Sequence, residues 1–322
     1  MFVIAGVILG RERPLADHHG DYRSPMPVST WIEQLYKRMP PRARRLGYLA
    51  RTPPGHYYSP YPNLSQTRNR ADSIWGDPLD LPGVELDVPG QWELVKRLGA
   101  HASQIPFASA PISPMIYDPS NRPYVPGDAM VAAMVLAELR PKRYVEVGSG
   151  WSTAAALDAR RLFNLDDTTI TCIDPFPTRL EQVLDESKPD HFSIRREPVQ
   201  DTPLSVFDEL EDGDVLFIDS THVVKTGSDV NHLVFTILPR LAPGVWVHVH
   251  DVFAGFEYPQ KWVEERRAWQ EAYLLRAFLQ FNSAYRVRLH TQLLHHLDRD
   301  RYVAAVPLAD PNPGAQIWLQ RQ

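Results

Sequence analysis

Residues 144–153 read Tyr-Val-Glu-Val-Gly-Ser-Gly-Trp-Ser-Thr, an apolar run that ends in glycines and passes directly into three alanines and a leucine. This pattern predicts a buried strand, a tight turn and the first turn of a helix. Backbone N–H groups at a helix start lack partners within the helix, so they can face an anionic or polar ligand. We interpret the stretch as the entrance to a nucleotide-type cofactor site.

Apolar strands alternate with helices along the rest of the chain. The predicted strands are 144–147, 169–174, 192–195, 215–219, 245–251, 285–289 and 316–319. Strands separated by helices form βαβ units, and strands that are apolar throughout indicate a parallel sheet covered on both faces. The last two strands are predicted to form an antiparallel hairpin. The sequence therefore predicts a doubly wound, mostly parallel, seven-stranded α/β fold of the Rossmann-like kind.

Three of the predicted strands end in an aspartate, at Asp174, Asp219 and Asp251, and the first strand ends at Gly148. In doubly wound sheets, ligands bind in the crevice beyond the carboxyl ends of the strands. The four strand ends are therefore expected to meet at one crevice.

Capping residues and periodicity predict the main helices. Side-chain caps are predicted at Asp128, at Ser152 and at Thr178 together with Glu181. The clearest amphipathic helix is 228–241, and a helix rich in aromatic residues is predicted over about 260–281.

The chain divides by composition into two parts. Residues 1–89 are rich in Pro, Arg and Tyr and lack sustained periodicity, so they are predicted to form a partly irregular N-terminal extension. Residues 90–322 are predicted to form the cofactor-binding domain. Because prolines restrict a chain to turns and extended segments, we expect the extension to wrap the domain or a partner subunit of a homo-oligomer.

Charge and cysteine content narrow the class of protein. A net charge of -5 argues against a general nucleic-acid binder, and the basic residues within 37–51 are interpreted as a solvated face. Cys172 is the only cysteine, so no intrachain disulfide can form and a reducing compartment, the cytoplasm, is expected. No stretch approaches the roughly 20 apolar residues of a membrane span, so no membrane association is predicted.

The glycine motif also bears on the cofactor. Gly148-x-Gly150-x-x-Thr153 lacks the third glycine or alanine of the dinucleotide fingerprint, which lowers the expectation of NAD. Asp174 at the next strand end does not discriminate, since both NAD and an adenosyl ligand offer ribose hydroxyls.

Further motifs separate these alternatives. They are the glycine motif at 144–153, Ile173-Asp174, the run Phe217-Ile218-Asp219-Ser220-Thr221-His222, the run Ser228-Asp229-Val230-Asn231-His232 and the run His248-Val249-His250-Asp251. Together they resemble the class I S-adenosylmethionine-dependent methyltransferases, specifically the methyltransferase domain 24 type, from about Tyr124 to the C-terminus.

The resemblance implies a set of cofactor contacts. The backbone of Gly148, Ser149 and Gly150 would line the amino-acid part of S-adenosylmethionine, and Asp174 would bind the ribose. Phe176 would cover the adenine face, and Gln200 or Asp201 would meet its amino group. Glu146 would either support the loop or contact the cofactor directly.

The strand ends carry the candidate catalytic residues. Transfer of a methyl group to a hydroxyl requires alignment of the reactants and removal of a proton. His250 or His222, beside Asp251 and Asp219, is the expected base. The alternative is that both histidines are only hydrogen-bonded at strand ends, which is the favoured interpretation for His248, further inside its strand.

A divalent metal is a second possibility. The resemblance implies an acidic residue after the fourth strand and an acidic pair after the fifth as metal ligands, for which Asp219, His250 and Asp251 are the candidates. A histidine in this set suits Mn, Fe or Zn better than Mg. We leave the metal open.

The acceptor is the least defined part. The stretch 256–273 combines aromatic and charged residues and could form a lid, in which an arginine at 266 or 267 facing the crevice would favour a carboxylate. The leading hypothesis is an S-adenosylmethionine-dependent O-methyltransferase acting on a small-molecule or glycan hydroxyl or a carboxylate. The alternatives are an NAD(P)-dependent oxidoreductase of Rossmann type and a non-catalytic protein that binds an adenosyl ligand.

Overall fold

The computed structural model describes residues 52–108, 115–184 and 189–322. The chain divides into two compact units, Met1–Ser59 and Pro60–Gln322, and the second contains all the elements described below. The predicted solvated face formed by the basic residues within 37–51 lies outside the described residues. Residues 60–89 contain the short helices α1 (Leu64–Asn69) and α2 (Ala71–Ile74). The boundary between the N-terminal extension and the cofactor-binding domain, placed near residue 89, stays a prediction.

One sheet of seven strands forms the centre of the second unit, as predicted. The strands are β1 (Arg143–Val147), β2 (Thr169–Ile173), β3 (Phe192–Arg195), β4 (Val215–Ile218), β5 (Trp246–His250), β6 (Tyr285–His290) and β7 (Gln316–Arg321). Their order across the sheet is β3-β2-β1-β4-β5-β7-β6. The first five strands pair in parallel, whereas β7 runs antiparallel to both of its neighbours. The predicted fold class and C-terminal hairpin are confirmed.

Helices cover both faces of the sheet. They are α3 (Val88–Leu98), α4 (Pro126–Leu139), α5 (Trp151–Leu162), α6 (Thr178–Val183), α7 (Ser205–Asp208), α8 (Asp229–His232), α9 (Gln260–Glu264), α10 (Glu271–Leu279), α11 (Thr291–Leu297) and α12 (Arg299–Ala305). Alternate residues of each strand enter opposite cores: Tyr144 and Trp246 pack on one face, and Val145 and Val247 on the other. Burial on both faces explains why these strands are apolar throughout.

The register brings the strand ends to one edge. Val147 lies opposite both Ile173 and Ile218, and Ile218 lies opposite Val249. The residues that follow these strands therefore leave the sheet side by side. Because β1 has β2 on one side and β4 on the other, the connections diverge here, which opens the crevice where doubly wound sheets bind ligands.

The predicted cap at Asp128 is wrong. Helix α4 begins at Pro126, because proline fits the first position of a helix, and Val125 is the capping residue. Asp128 lies inside the first turn and is only 3% exposed. Its carboxylate accepts hydrogen bonds from the backbone N–H of Ala315 and from the side chain of Gln316, so it fixes the start of β7 instead.

The other two predicted caps are also wrong. Helix α5 is capped by Gly150, and the hydroxyl of Ser152 donates to Glu146 instead. Helix α6 follows Pro177 and has no side-chain cap, while Glu181 pairs with Arg196 across 2.5 Å. In each case a tertiary partner takes the group that local sequence assigned to the cap.

Two long helices were predicted in the second half of the chain. The first is confirmed: Ser228 accepts from the N–H of Asn231, and helix α8 continues through a π-helical segment, Leu233–Ile237, to Arg240. The second is wrong, since α9 ends at Glu264 and α10 begins at Glu271. Arg266 adopts a left-handed conformation, φ 62°, which interrupts the helix between them. Within the described ranges, no helix has both the length and the apolar character to cross a bilayer.

Candidate active site

An open cleft of about 1070 Å³ lies over the carboxyl ends of the parallel strands. Residues that follow β1, β2, β4 and β5 form its floor. The start of α4 and the loop before β7 form one wall, and the segment around α9 forms another. All four strand ends named from the sequence therefore contribute to a single cleft.

The glycine turn closes tightly against the neighbouring strand end. Gly148 has a φ of 94°, and a Cβ atom added to it would lie 2.4 Å from the carbonyl oxygen of Asp219. Its N–H donates to the carbonyl of Ile173. Gly148 and Ser149 line the cleft, and Gly150 starts α5. The turn thus requires glycine both for its backbone conformation and for its closeness to β4.

Asp174 connects the turn to the second strand end. One carboxylate oxygen accepts from the hydroxyl of Ser149 across 2.6 Å, and the other accepts from the N–H of Phe176 across 2.8 Å. Each oxygen retains a second lone pair for another donor. Phe176 presents its ring at the rim of the cleft with 81% exposure, and Gln200, which donates to the carbonyl of Gly227, lies farther along the same rim.

Glu146 lies beneath the turn, in the core. It is fully buried, and its carboxyl group accepts from the hydroxyl of Ser152 across 2.5 Å and lies 3.7 Å from the thiol of Cys172. Burial raises the pKa of Glu146 to about 8, an effect that the hydrogen bonds from Ser152 and Thr153 only reduce. Of the two roles considered for this residue, the geometry favours support of the loop.

Glu146 makes the stability of the fold depend on pH. Its pKa is raised from 4.5 to about 8, so between these values the folded chain keeps a proton that the unfolded chain has lost. Stability is therefore full below about pH 4.5 and falls by about 1.4 kcal/mol per pH unit as the pH rises toward 8. We expect Glu146→Gln to remove this slope.

Urea unfolding between pH 5 and about pH 8 measures the effect. Glu209→Gln is the control, since Glu209 is exposed and its substitution should leave the slope unchanged. Parallel pH curves for the wild-type chain and Glu146→Gln would show that Glu146 is ionised in the folded state, contrary to this account.

His222 stands at the centre of the cleft floor, among three carboxylates. Its Nδ1 lies 2.8 Å from Oε2 of Glu271, and its Nε2 lies 3.4 Å from Oδ1 of Asp219 and 3.5 Å from Oδ2 of Asp251. The indole of Trp269 covers the imidazole, with 4.4 Å between ring centres. His222 is 5% exposed and adopts a left-handed conformation, φ 59°. Such conformations in non-glycine residues cluster at functional sites.

The carboxylates determine the charge of His222. Burial disfavours the imidazolium, but the hydrogen bonds to Asp219 and Glu271 outweigh it and raise the pKa of His222 well above its usual 6.5. Burial alone would raise the pKa of Asp219, yet His222 and His250 together lower it. The centre is therefore an imidazolium held between carboxylates at neutral pH.

His250 and Asp251 complete the floor. Burial would lower the pKa of His250, but Asp251 and Asp128 raise it. Burial raises the pKa of Asp251, despite the opposing effect of the two histidines. Nε2 of His250 lies 3.8 Å from Oδ1 of Asp251, and its Nδ1 has no hydrogen-bond partner among the described residues. All four predicted catalytic residues therefore lie together.

His248 is separate from this centre. It is fully buried inside β5, and its ring stacks on Phe217 with 3.7 Å between ring centres. Burial lowers the pKa of His248 well below 6.5, which makes it a neutral core residue. The structural interpretation favoured from the sequence agrees with this geometry.

Comparison with known proteins shows a similarity in the central part of this chain. Residues 145–252 match the family model described as "Methyltransferase domain", of the type 24 indicated by the motifs. Residues 145–252 are therefore similar to a methyltransferase domain. The match spans the glycine turn, Asp174 and the strand ends at Asp219 and Asp251, and it disfavours the oxidoreductase alternative.

Several known proteins are similar to this chain. An Archaeoglobus fulgidus protein described as uncharacterized is 29% identical over 174 residues, which are 50% of this chain and 74% of that protein. A solved structure of an SAH-bound Podospora anserina methyltransferase is 14% identical, with a TM-score of 0.41 and coverage of 81% of this chain and 97% of that chain.

TomG, an O-methyltransferase of Streptomyces achromogenes involved in tomaymycin synthesis and solved with SAM, is 13% identical, with a TM-score of 0.35. The likeness covers 74% of this chain and 92% of that chain. At this level of similarity these structures assign no acceptor to this chain.

The cleft and its surroundings also contain contacts that sequence reasoning missed. Glu271 binds His222, whereas the sequence predicts only that it belongs to the possible lid at 256–273. Asp128 is predicted from the sequence to cap a helix, yet it lines the cleft, and burial raises its pKa to about 7. Arg179, on α6, also lines the cleft. Spacing carries no signal for these residues, because each comes to the cleft through tertiary packing.

The metal question has a geometric answer for the part of the chain that the structure describes. There, no group of three or more His, Cys, Asp or Glu side chains is arranged to hold a metal ion. Oδ1 of Asp219 and Oδ2 of Asp251 are instead both directed at one atom, Nε2 of His222, at 3.4 and 3.5 Å. The donor set therefore does not fit the metal site considered from the sequence.

Proposed function

We propose that the chain transfers the methyl group of S-adenosylmethionine to an oxygen atom of a small-molecule or glycan hydroxyl, or of a carboxylate. The observation that carries the proposal is the group formed by Asp219, His222, His250 and Asp251 in the floor of the cleft, directly beside the glycine turn. A set of buried histidines beside partly exposed carboxylates can orient an oxygen nucleophile and accept its proton.

The residues around the turn fit the cofactor. The backbone of Gly148 and Ser149 would hold its amino-acid part, because the turn presents backbone without a side chain at Gly148. The free lone pairs of Asp174 would accept the ribose hydroxyls. The exposed ring of Phe176 would cover the adenine, with Gln200 at the same rim. When bound, S-adenosylmethionine supplies an electrophilic methyl group on a sulfonium.

The proton of a hydroxyl acceptor needs a base in the floor. Methyl transfer would join the acceptor oxygen to the methyl carbon as the sulfur–methyl bond breaks, and the hydroxyl proton would pass to the protein. His222 is unsuited to receive it, since both of its ring nitrogens face carboxylates. We assign the proton to Asp251, with His250 beside it, because burial raises the pKa of Asp251 and so increases its basicity.

The wall beyond Asp251 offers an acceptor subsite. Trp262 and Trp269 lie in it with 5.2 Å between ring centres, and the guanidinium of Arg267 stacks 4.2 Å from the ring of Trp262. Arg267 also pairs with Glu265, whose carboxylate lies 2.9 Å away. Aromatic faces suit a sugar or a planar acceptor, and the guanidinium suits a carboxylate. Both acceptor classes therefore remain within the proposal.

The proposed function is tested by the product. S-adenosylmethionine with an isotopically labelled methyl group is incubated with the chain and a panel of phenols, sugars and carboxylic acids, and the release of S-adenosylhomocysteine is followed. We expect label in an O-methyl ether, which withstands mild base, or in a methyl ester, which does not. Label confined to nitrogen, sulfur or carbon would contradict O-methylation.

Asp174 should govern cofactor affinity. Asp174→Asn replaces one acceptor oxygen with an amide that can only donate, so one ribose hydroxyl loses its partner. Loss of a hydrogen bond to a charged group predicts a rise of about 10- to 100-fold in the dissociation constant for S-adenosylmethionine, measured by calorimetry. Asp166→Asn, at the opposite edge of the sheet, is the control with unchanged affinity. Equal affinities for both variants would remove Asp174 from the cofactor site.

A further inference from the structure

Glu271 makes the shortest polar contact of His222, yet it comes from a different part of the fold. It is the first residue of α10, it is 3% exposed, and its Oε2 lies 2.8 Å from Nδ1 of the imidazole. Its other oxygen accepts from the hydroxyl of Ser220 across 2.8 Å. Both carboxylate oxygens are therefore engaged by the loop that follows β4, which fixes the orientation of the carboxylate.

The backbone reinforces this connection. The N–H groups of Gln270 and Glu271 both donate to the carbonyl of His222, across 2.9 and 3.2 Å. The N–H of Val224 donates to the side chain of Gln270, and the N–H of His222 donates to the hydroxyl of Ser220. The start of α10 and the loop after β4 therefore form one hydrogen-bonded unit around the imidazole.

This unit determines which ring nitrogen faces the cleft. Because Nδ1 is held by Glu271, Nε2 is the nitrogen directed at Asp219 and Asp251. Trp269, two residues before Glu271, covers the ring and limits its rotation. A ring rotated by half a turn would lose Glu271 and leave a C–H group between the two strand-end carboxylates.

We propose that Glu271 is a positioning residue of the reaction: it holds the imidazole of His222 so that Nε2 bridges Asp219 and Asp251 and keeps Asp251 in place for the acceptor. The proposal rests on the proposed function. In this proposal Glu271, at the start of α10, contacts neither the cofactor nor the acceptor and acts through His222. Helix α10 directly follows the segment that carries Trp262, Arg267 and Trp269. The acceptor wall and the residue that holds His222 therefore belong to consecutive parts of the chain.

The test compares substitutions of graded severity. Glu271→Gln retains an oxygen that accepts from Nδ1–H, whereas Glu271→Ala removes it. Ser220→Ala keeps Glu271 but removes the hydroxyl that orients it, together with the acceptor of the His222 backbone N–H. Removing the partner that orients a metal-ligating histidine typically costs about 10- to 100-fold in activity, and we take the same factor for a histidine held by a carboxylate. We expect Glu271→Ala to lower kcat by this factor with little change in KM, and Glu271→Gln to recover most of kcat. Tyr273→Phe, on the same helix, is the control. The hydroxyl of Tyr273 donates to Glu257 rather than to His222, so its removal should leave kcat unchanged.

Nuclear magnetic resonance of histidine-labelled protein gives a readout without turnover. In the wild-type chain we expect a slowly exchanging Nδ1–H signal for His222, retained in Glu271→Gln and lost in Glu271→Ala. If Glu271→Ala does not fold, a weakened Nδ1–H signal and a smaller loss of kcat in Ser220→Ala support the proposal, and unchanged values overturn it.

The failures of the two proposals are distinguishable. A wild-type chain that transfers no methyl group to oxygen contradicts the proposed function, whatever the spectra show. If the wild-type chain transfers a methyl group to oxygen, and a folded Glu271→Ala variant has an unchanged kcat or an unchanged Nδ1–H signal, only the role of Glu271 is overturned.

Discussion

Asp251→Asn is expected to lower the turnover number by about 100- to 10,000-fold, the range typical of removing a general base. The substitution keeps the size of the side chain but removes the group to which we assign the proton. Asp251 lies in the cleft floor with 16% of its side chain exposed and adopts a left-handed conformation, φ 57°, that asparagine also tolerates. The fold and the cofactor site should therefore remain intact, and the affinity for S-adenosylmethionine should change little.

Steady-state kinetics with the acceptor identified from the panel, together with calorimetry, measure both quantities. Asp208→Asn is the matched control, because Asp208 pairs with Arg240 on the surface, where such a pair contributes little. A turnover number within about threefold of wild type in Asp251→Asn would show that Asp251 is not the base. A large loss of turnover in His250→Gln would then assign the base to His250.

Gly148→Ala is expected to weaken S-adenosylmethionine binding by more than about 100-fold, and to destabilise the fold by several kcal/mol through overpacking and backbone strain. The added Cβ would lie 2.4 Å from the carbonyl oxygen of Asp219, which is backbone and cannot swing away. Either the turn or the end of β4 must move. Both outcomes displace the cofactor turn from the catalytic floor.

Gly213→Ala separates this clash from backbone strain. Gly213 also has a positive φ, 85°, but nothing lies within 4 Å of its added Cβ. This variant should lose about 1 to 2 kcal/mol from the left-handed conformation alone and keep its affinity for S-adenosylmethionine. Urea unfolding and calorimetry compare the two variants. Equal losses of stability with intact cofactor affinity in both would show that Gly148 is required only for its conformation.

The sheet and the cleft floor could be predicted from the sequence because they depend on local signals. Strands buried on both faces must be apolar throughout, and parallel strands must deliver their carboxyl ends to one edge. Asp219 and His222 on one side, and His250 and Asp251 on the other, follow directly from this geometry. The glycine turn could also be predicted, because only glycine fits at position 148, given its positive φ and its closeness to the end of β4.

The parts that failed depend on tertiary contacts. Asp128 and Ser152 have the side chains of helix caps, but Ala315 and Glu146 are their partners in the fold. The helix over 260–281 has continuous periodicity, yet a break near Arg266 brings Glu271 onto His222, 49 residues earlier in the chain. Local propensity is easily overridden by such partners. The sequence therefore located the floor of the site but not the support beneath His222.

The central claim is that the cleft belongs to an S-adenosylmethionine-dependent methyltransferase, and titration calorimetry with three ligands tests it most directly. S-adenosylmethionine, S-adenosylhomocysteine and NAD are titrated separately into the wild-type chain and into Asp174→Asn. We expect saturable binding of the first two to the wild-type chain, at least about 10-fold weaker binding to the variant, and no binding of NAD to either. Binding of NAD alone would contradict the account.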